Sequence, residues 1–587
     1  MERNLIMNTK MHNKKKRIFY IYILLILLIR LFLSTGVRIW AFGNNQYDDG
    51  MMIKNATNLI AGNWLGSYDQ YIFAKGVTFP IYLELLHKIG IPFIISNVLM
   101  CFAASLTFII VVKKVIPNLN ALAIIYTILM FNPIATASWT FQRVYRDSLY
   151  SYLIVILFSL IIGIYLNRKE SFNKLLSYSI VAGFFLSSVW LAREDSPWVL
   201  PFVGMALIVT LILILLDKNS EVKVRMKKAL ALTVIPIFLI VSILVVSTIN
   251  YTRYGVAITN EYTGGYLPRL FKDLTIIQPD EWMAQVPIPK STREKAYKVS
   301  PTFSKLKSTL ENHAFVATTP GGNASCSMLA WAVIDSVQWY GIKDAKSSQE
   351  FYKKSSEEIE AAIKSGKLKT RGGYIFMFES PWDNRYVKPL LKSFIQTIKT
   401  TVHMGQYYNM EEESLVKTLQ LSRKYNNTIV PLFEKNIASI GTKEQVRKLE
   451  YITNNIAYNK EDVIPKRQTK VAISNKISLI YYELNPYLFL IGLIGYVYIT
   501  LRFLLSIRKK KYFLADEWLI ITGIFLSYLL RLLLISYTDV CSIFMQYSMY
   551  LAPSYWLILM FTFTSIFISM RDFVKNYYYN KKASHKN

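Results

Sequence analysis

Residues 47–80 read YDDGMMIKNATNLIAGNWLGSYDQYIFAKGVTFP and follow the first long apolar run of the chain. They contain two adjacent carboxylates, Asp48 and Asp49, and further on a lysine before a glycine, Lys75-Gly76. A carboxylate beside lipid is costly unless it has a partner or water. This stretch is therefore a candidate active-site loop at the end of a membrane helix.

The composition indicates a polytopic membrane protein. The 587 residues are 53% hydrophobic and 14% aromatic, and the mean hydropathy is +0.27, which is too apolar for an ordinary soluble enzyme. The net charge of +30 would suggest a nucleic-acid partner in a soluble protein. Here the basic residues lie in short loops between apolar runs, so no nucleic acid is expected. The cysteines Cys101, Cys326 and Cys541 make no disulfide framework, and a Cys326–Cys541 bridge stays open.

Ten apolar runs are each long enough to cross a hydrocarbon core of about 30 Å as a helix. They lie at 18–37, 92–112, 120–139, 149–167, 175–192, 197–216, 229–249, 486–505, 517–537 and 549–570. Basic loops alternate with mixed ones along the chain. This pattern predicts a multi-pass protein of the plasma membrane with both termini in the cytoplasm.

These runs divide the chain into modules. We expect a cytoplasmic basic tail at 1–17, an N-terminal transmembrane module at 18–249 with an outer loop at 36–91, a mainly helical extracytoplasmic domain at 250–485, a C-terminal transmembrane module at 486–570 and a cytoplasmic tail at 571–587. The fold class is thus an α-helical polytopic membrane protein with one sizeable domain between spans 7 and 8.

Apolar residues at helical spacing predict further helices outside the spans. In the outer loop they indicate two amphipathic helices, from Asp49 to Ala61, which Gly62 would end, and from Thr78 to Ile89. In the outer domain they indicate helices at 291–312, 325–341, 346–366, 408–424 and 442–457. That domain contains no GxGxxG, P-loop, zinc or lipase-type motif.

The outer loops also contain clustered acid–base motifs at the ends of spans. They are Arg143 with Arg146-Asp147, and Arg193-Glu194-Asp195. One such residue alone fits a capping or snorkelling side chain, but several clusters on one face indicate a cavity or pathway. Arg531 lies inside a late span, ahead of Tyr550, and either binds a phosphate or pairs with a carboxylate such as Asp539.

A carboxylate on the outer face suits two kinds of chemistry. It could act as a general base that accepts a proton from an attacking hydroxyl, or it could hold a divalent cation. The cations Lys75, Arg143, Arg146 and Arg531 could neutralise the phosphate of a leaving group. A phosphate leaving group at the membrane surface implies a lipid-linked donor.

With these residues in place, the chain resembles the GT-C glycosyltransferases, in the branch of the protein O-mannosyltransferases and the aminoarabinose transferase of lipid A. The likeness rests on an acidic pair, a Gly62-Asn63-Trp64 turn, a lysine before a proline-containing helix, and a second outer turn with Arg143 and Asp147. The late segment QYSMYLAPSYW, residues 546–556, is also similar. Together these motifs cover roughly residues 15–250 and the last spans.

The resemblance implies an inverting transferase that uses a polyprenyl-phosphate sugar. Asp48 would be the base, and Lys75 with an arginine would bind the donor phosphate. The chain departs from the pattern because its second acid is Asp rather than Glu, and because residues 193–197 and 250–485 have no counterpart in it. Two other functions stay open: a transporter or flippase of lipid-linked saccharide, and a non-catalytic envelope assembly protein whose outer domain binds a partner.

Overall fold

The chain is built almost entirely of helices in the computed structural model, which describes residues 2–37, 39–42, 47–372, 379–404, 438–440, 464–509, 512–543, 545 and 548–584. Within these ranges nine helices are long and apolar enough to cross a membrane, and a bent pair would make ten. Each predicted span coincides with one of these helices or with the bent pair. The prediction of an α-helical polytopic membrane protein is confirmed.

The helices in chain order are α1 (Glu2–Ser34), α2 (Asp49–Ile60), α3 (Thr78–Ile89), α4 (Phe93–Val112), α5 (Leu119–Met130), α6 (Trp139–Gln142), α7 (Arg146–Leu166), α8 (Phe172–Trp190), α9 (Leu200–Leu215), α10 (Val222–Tyr254), α11 (Leu267–Ile276), α12 (Lys290–Val299), α13 (Pro301–Ser304), α14 (Lys307–Glu311), α15 (Ala314–Ala317), α16 (Cys326–Trp339), α17 (Ala345–Lys364), α18 (Val387–Val402), α19 (Ile464–Arg508), α20 (Ala515–Cys541) and α21 (Ser548–Ser584). Short 3-10 turns span Pro133–Ala135, Ser196–Val199, Pro320–Gly322 and Asn384–Tyr386. Strand β1 (Trp40–Phe42) pairs in parallel with β2 (Ala438–Ile440).

Two membrane helices form the centre of the bundle. In α7, 94% of the apolar window is buried, and in α21 the share is 89%. A helix that is apolar on all sides lies inside a bundle rather than at its lipid-facing edge. The bundle and the outer domain have separate apolar cores. Since Arg146 begins α7, this central helix brings its charged first turn to the middle of one end of the bundle.

The two amphipathic helices predicted for the outer loop are confirmed as α2 and α3. Gly62 ends the first of them with φ 77°, a backbone angle that glycine adopts without steric cost. The predicted helix at 291–312 is instead broken into α12, α13 and α14. The break comes at Ser300, because the following Pro301 disfavours helical angles there and Ser300 takes φ −114° and ψ 99°.

Other predicted helices have different bounds in the structure or lie outside the residues that it describes. The predicted helices at 325–341 and 346–366 correspond to α16 and α17, whereas those at 408–424 and 442–457 lie outside the described residues. Helix α19 starts at Ile464 and continues through Pro486, so it contains the predicted span 486–505 but begins well before it. The proposed division into modules stays a prediction.

Side-chain contacts join several loops at one end of the bundle. Lys114 pairs with Glu170 at 2.9 Å, and Arg168 pairs with Asp516 at 2.8 Å. These residues belong to loops, or to the first turn of α20, that the charge pattern assigns to the cytoplasm. The acid–base motifs lie at the opposite ends of the same helices. Which end faces the cell exterior stays a prediction.

Candidate active site

Asp48 and Asp49 are adjacent in the chain but lie in different environments. Asp49 is in the first turn of α2, and its side chain is 0% exposed. Arg143 Nε lies 3.0 Å from each carboxylate oxygen of Asp49, and Arg143 Nη2 lies 2.5 Å from Oδ1. Asp48 precedes the helix, caps none of its backbone amides, and keeps 31% of its side chain exposed. Asp48 is therefore the carboxylate of the pair that a substrate reaches more easily.

Tyr145, Lys75 and Arg143 hold the Asp48 carboxylate. The Tyr145 hydroxyl donates to Oδ1 at 2.8 Å, Lys75 Nζ lies 3.4 Å from the same oxygen, and Arg143 Nη2 lies 3.8 Å from Oδ2. Burial alone would raise the pKa of Asp48, but Lys75 and then Arg143 lower it to about 2. The carboxylate is therefore ionised at every physiological pH.

A close backbone contact positions Lys75. A Cβ on Gly76 would lie 2.0 Å from the carbonyl oxygen of Leu191, so the two chain segments approach each other only because residue 76 is glycine. Thr78 donates from its backbone N–H to the same oxygen at 3.3 Å, and from its hydroxyl to the Ser188 carbonyl at 2.9 Å. The lysine is thereby fixed beside the segment that follows α8.

Arg146 and Glu194 form a second ion pair next to Lys75. Arg146 Nη1 donates to Glu194 Oε1 at 2.7 Å, and Asn260 Nδ2 donates to that oxygen at 3.1 Å. Burial would raise the pKa of Glu194, but Arg146 and Lys75 hold it below its ordinary value. The centre of the Tyr145 ring lies 4.4 Å from the Arg143 guanidinium and 5.7 Å from that of Arg146, so the ring contacts both arginines.

Asp195 links the segment after α8 to helix α20. It accepts from Arg193 Nε at 2.8 Å and from Arg531 Nη1 at 2.7 Å, while Arg193 also pairs with Asp147. Arg531 Nη2 donates to the backbone carbonyl of Tyr550 at 3.1 Å. Burial would raise the pKa of Asp195, but Arg193 and Arg531 hold it well below its usual range.

This geometry corrects the carboxylate partner suggested for Arg531 from the sequence. The partner is Asp195, whereas Asp539 accepts from the Ser393 hydroxyl at 2.7 Å and from the Met545 backbone N–H at 2.9 Å. The Tyr550 ring lies 5.7 Å from the Arg193 guanidinium.

The formal charges of the site cancel. The cations are Lys75, Arg143, Arg146, Arg193 and Arg531, and the carboxylates are Asp48, Asp49, Asp147, Glu194 and Asp195. Every arginine of the set already contacts a carboxylate at 2.8 Å or less. A phosphate would therefore compete with these carboxylates. Among the five cations, Lys75 lies farthest from its nearest carboxylate, at 3.4 Å from Asp48, and it retains 14% exposure.

Helix α16 of the outer domain covers the loop. Lys75 Nζ lies 5.2 Å from the centre of the Trp331 ring. Asp335, one helical turn further on, accepts from the hydroxyls of Tyr47 and Tyr71, which flank the first helix of the loop, and lies 3.0 Å from His313 Nε2. These bonds satisfy a fully buried carboxylate and attach the loop to the outer domain.

Sequence reasoning missed Tyr145, Asn260, Trp331 and Asp335 as parts of the site. Tyr145 lies between Arg143 and Arg146 in the chain, and that position is a usable signal. A lone carboxylate within the apolar run LAWAVIDSV, residues 329–337, also signals a buried partner for Asp335. Nothing in the sequence marks Trp331 or Asn260.

The divalent cation that the sequence left open has no evident ligand set in the described part of the chain. No group of three His, Cys, Asp or Glu side chains comes together there in a way that could hold a metal ion. Both oxygens of Asp49 already accept from Arg143. The three cysteines are buried and free, so the Cys326–Cys541 bridge is not formed.

No protein-family model matches the chain, and no curated protein matches it. Among solved structures it is similar to ArnT from Cupriavidus metallidurans. The structure of ArnT in the apo state has a TM-score of 0.31 and 11% identity and covers 82% of this chain and 80% of that chain. The structure of ArnT bound to undecaprenyl phosphate has a TM-score of 0.28 and 13% identity, with 88% and 77% covered. At these values neither likeness supports a conclusion about the activity of this chain.

Proposed function

We propose that this protein is an integral membrane glycosyltransferase of the GT-C type. It moves a sugar from a polyprenyl-phosphate donor to a polymer, glycolipid or protein of the cell envelope, on the outer face of the plasma membrane. One observation carries the proposal: Asp48 is a reachable, ionised carboxylate beside Lys75, and it is the most exposed member of the ion-pair network. Ionisable groups at such a depth mark functional sites in membrane proteins.

The proposed reaction uses Asp48 as the general base. The acceptor hydroxyl gives its proton to Asp48 as its oxygen attacks the anomeric carbon of the sugar. The bond from that carbon to the lipid phosphate oxygen breaks on the opposite side, so the configuration inverts. Lys75 stabilises the negative charge that develops on the departing phosphate.

The low pKa of Asp48 makes it a weak base while Lys75 and Arg143 attract it. A donor phosphate bound near Lys75 draws that cation away from the carboxylate. The pKa of Asp48 then rises, because its nearest charge partner is shared with the phosphate. In this proposal Asp48 becomes a stronger base only when a donor is bound, which limits proton abstraction from the acceptor in the absence of donor.

The other charged residues act as positioning groups in this proposal. Asp49 holds Arg143 beside Asp48, and Glu194 holds Arg146 beside Lys75. Asp147, Arg193, Asp195 and Arg531 extend the network towards the C-terminal helices. Trp331 covers Lys75 from the outer domain, where we place the acceptor.

The test is a transfer assay with the purified full chain and a panel of labelled polyprenyl-phosphate sugars. We expect Asp48→Asn to abolish transfer while the protein stays folded. Asp69→Asn is the matched control, because Asp69 lies on the same loop, pairs with Lys54 and takes no part in the network. Full transfer by Asp48→Asn would contradict the role of Asp48. Lipid flipping by the wild type without transfer from any donor would favour a flippase.

A further inference from the structure

A charged cavity lies at the opposite end of the bundle, far from the candidate active site. It has a volume of about 230 Å³ and is lined by the ends of α7, α9 and α10. Its polar lining comprises Arg168, Lys169, Asp217, Ser220, Arg225 and Lys228. The lining thus carries more positive than negative charge. The adjoining helix ends place the cavity at the level of a membrane interface.

Two of these cations are poorly compensated within the described part of the chain. Lys228 is only 6% exposed, and its ammonium donates to the backbone carbonyl of Arg168 at 3.3 Å. Arg225 donates from Nη1 to the Leu215 carbonyl at 2.6 Å, while its buried Nε has no hydrogen-bond partner there. Asp217 is turned to its own loop, where it accepts from the Ser220 hydroxyl at 2.8 Å. Asp217 also attracts Lys169 and Lys228, but this one carboxylate offsets only part of the charge of the four cations in the lining, so the cavity favours an anion.

An apolar groove leads away from this cavity along the membrane helices. It has a volume of about 320 Å³ and lies between α7, α9 and α20. Its wall on α9 comprises Phe202, Met205, Ala206 and Val209, and the same helical stripe continues to Leu213, which lines the basic cavity. Met205 is 60% exposed, so the groove opens sideways to the lipid.

Arg168 and Tyr165 join the two spaces. Tyr165 lines the apolar groove, Arg168 lines the basic cavity, and the guanidinium lies 4.3 Å from the ring. Arg168 also pairs with Asp516 at 2.8 Å, two residues before Trp518 on the far wall of the groove. The basic cavity can therefore hold a polar headgroup while the groove beside it holds the attached hydrocarbon chain.

We propose that this composite site binds an anionic membrane phospholipid. The lipid phosphate lies among Lys169, Arg225 and Lys228, and one acyl chain lies in the groove between α9 and α20. Charge complementarity favours this occupant, because basic cavities between membrane helices bind anionic headgroups. The site is independent of the proposed transferase activity. Its role is to hold the cytoplasmic ends of α7, α9, α10 and α20 together.

The test measures lipid retention by native mass spectrometry of the full chain released from phosphatidylglycerol bilayers into mild detergent. We expect the wild type to retain phosphatidylglycerol. The double variant Lys169→Gln with Lys228→Met removes two charges near the phosphate and should weaken retention by about thirtyfold. The control Lys223→Gln with Lys227→Gln removes two charges from the same helix end outside the cavity and should retain the lipid.

A second variant and two further ligands complete the test. Ala206→Trp fills the groove without changing the charge and should also release the lipid, which separates the chain-binding part from the headgroup part. Thermal midpoints should rise with phosphatidylglycerol but not with phosphatidylcholine of the same chains or with inorganic phosphate. The proposal would be overturned if phosphatidylcholine raised the thermal midpoint as much as phosphatidylglycerol, or if the control pair lost as much lipid as the Lys169 and Lys228 variant. Stabilisation by inorganic phosphate alone, or retention of polyprenyl phosphate only, would overturn it as well.

Discussion

Arg143 holds Asp49 in a buried two-pronged ion pair, with Nε 3.0 Å from both carboxylate oxygens. The pair connects the start of α2 to the turn before α7, and Asp48 is left on the accessible side. We therefore expect the neighbouring acids to have separable roles, Asp49 in stability and Asp48 in the proposed transfer reaction.

We predict that Asp49→Asn destabilises the protein and that Asp48→Asn does so much less. Removing one partner of a buried pair leaves an uncompensated charge and costs about 3–5 kcal/mol. The thermal midpoint of the full chain in detergent measures both changes. The double variant Asp49→Leu with Arg143→Met should recover most of the loss, since it removes both charges. An Asp49→Asn protein as stable as the wild type contradicts this account.

Gly76→Ala should displace Lys75. The added Cβ would meet the Leu191 carbonyl oxygen at 2.0 Å, and backbone on both sides has to shift. Such overpacking costs about 1–3 kcal/mol, and we expect transfer to fall further than stability because the lysine moves. Gly204→Ala is the control, because no atom lies within 4 Å of its added Cβ. If Gly76→Ala keeps full transfer, the contact does not position the lysine.

The donor affinity should weaken in alkaline solution. Burial and the neighbouring Arg146 lower the pKa of Lys75 below that of an ordinary lysine, so its positive charge is lost at a lower pH. We therefore expect KM for the polyprenyl-phosphate donor to rise on the alkaline side. Lys75→Arg keeps its charge and should flatten this rise. A wild-type KM that is constant with pH argues against phosphate binding by Lys75.

We predict that Glu261 makes the stability of the protein fall as pH rises. It is 2% exposed, and Gln349 Nε2 donates to its Oε1 at 3.0 Å. Burial raises the pKa of Glu261 from 4.5 to about 7. The folded state therefore keeps a proton that the unfolded state has lost. Between these two values the unfolding free energy falls with rising pH, by up to about 3 kcal/mol in total.

Glu261→Gln should remove this loss, so the variant is more stable than the wild type above neutral pH. The measurement is the difference in thermal midpoint between the two proteins as pH rises through the same interval. Glu311→Gln is the opposite case, because Glu311 pairs with Arg293 at 2.8 Å and its pKa is lowered. That variant should be less stable at neutral pH. A pH-independent difference for Glu261→Gln refutes the assignment.

Local patterns predicted the membrane helices, because apolar runs of this length have few other stable states. Apolar residues at helical spacing likewise predicted α2 and α3. Even the burial of Asp49 was available from the sequence: it shares a helical face with Met52, Ile53 and Ala56. Applying that periodicity to the acidic pair would have separated Asp49 from Asp48.

The sequence could not predict which charged groups pair with one another. Arg531 and Asp195 are 336 positions apart, and topology places both at one end of the bundle without choosing between Asp195 and Asp539. The cover provided by Trp331 depends on how the outer domain packs on the loop. Such packing follows from many small apolar contacts rather than from any local motif.

The bond between Asp195 and Arg531 has a consequence for biosynthesis. A lone arginine in a membrane helix costs about 2.5–3.5 kcal/mol on insertion. Asp195 is translated long before α20, and N-terminal parts of a chain settle first. When α20 leaves the translocon, its arginine meets a carboxylate that is already in place and flanked by Arg193. We therefore expect the early helices to guide the insertion of the last ones, and a chain lacking Asp195 should accumulate with α20 poorly inserted.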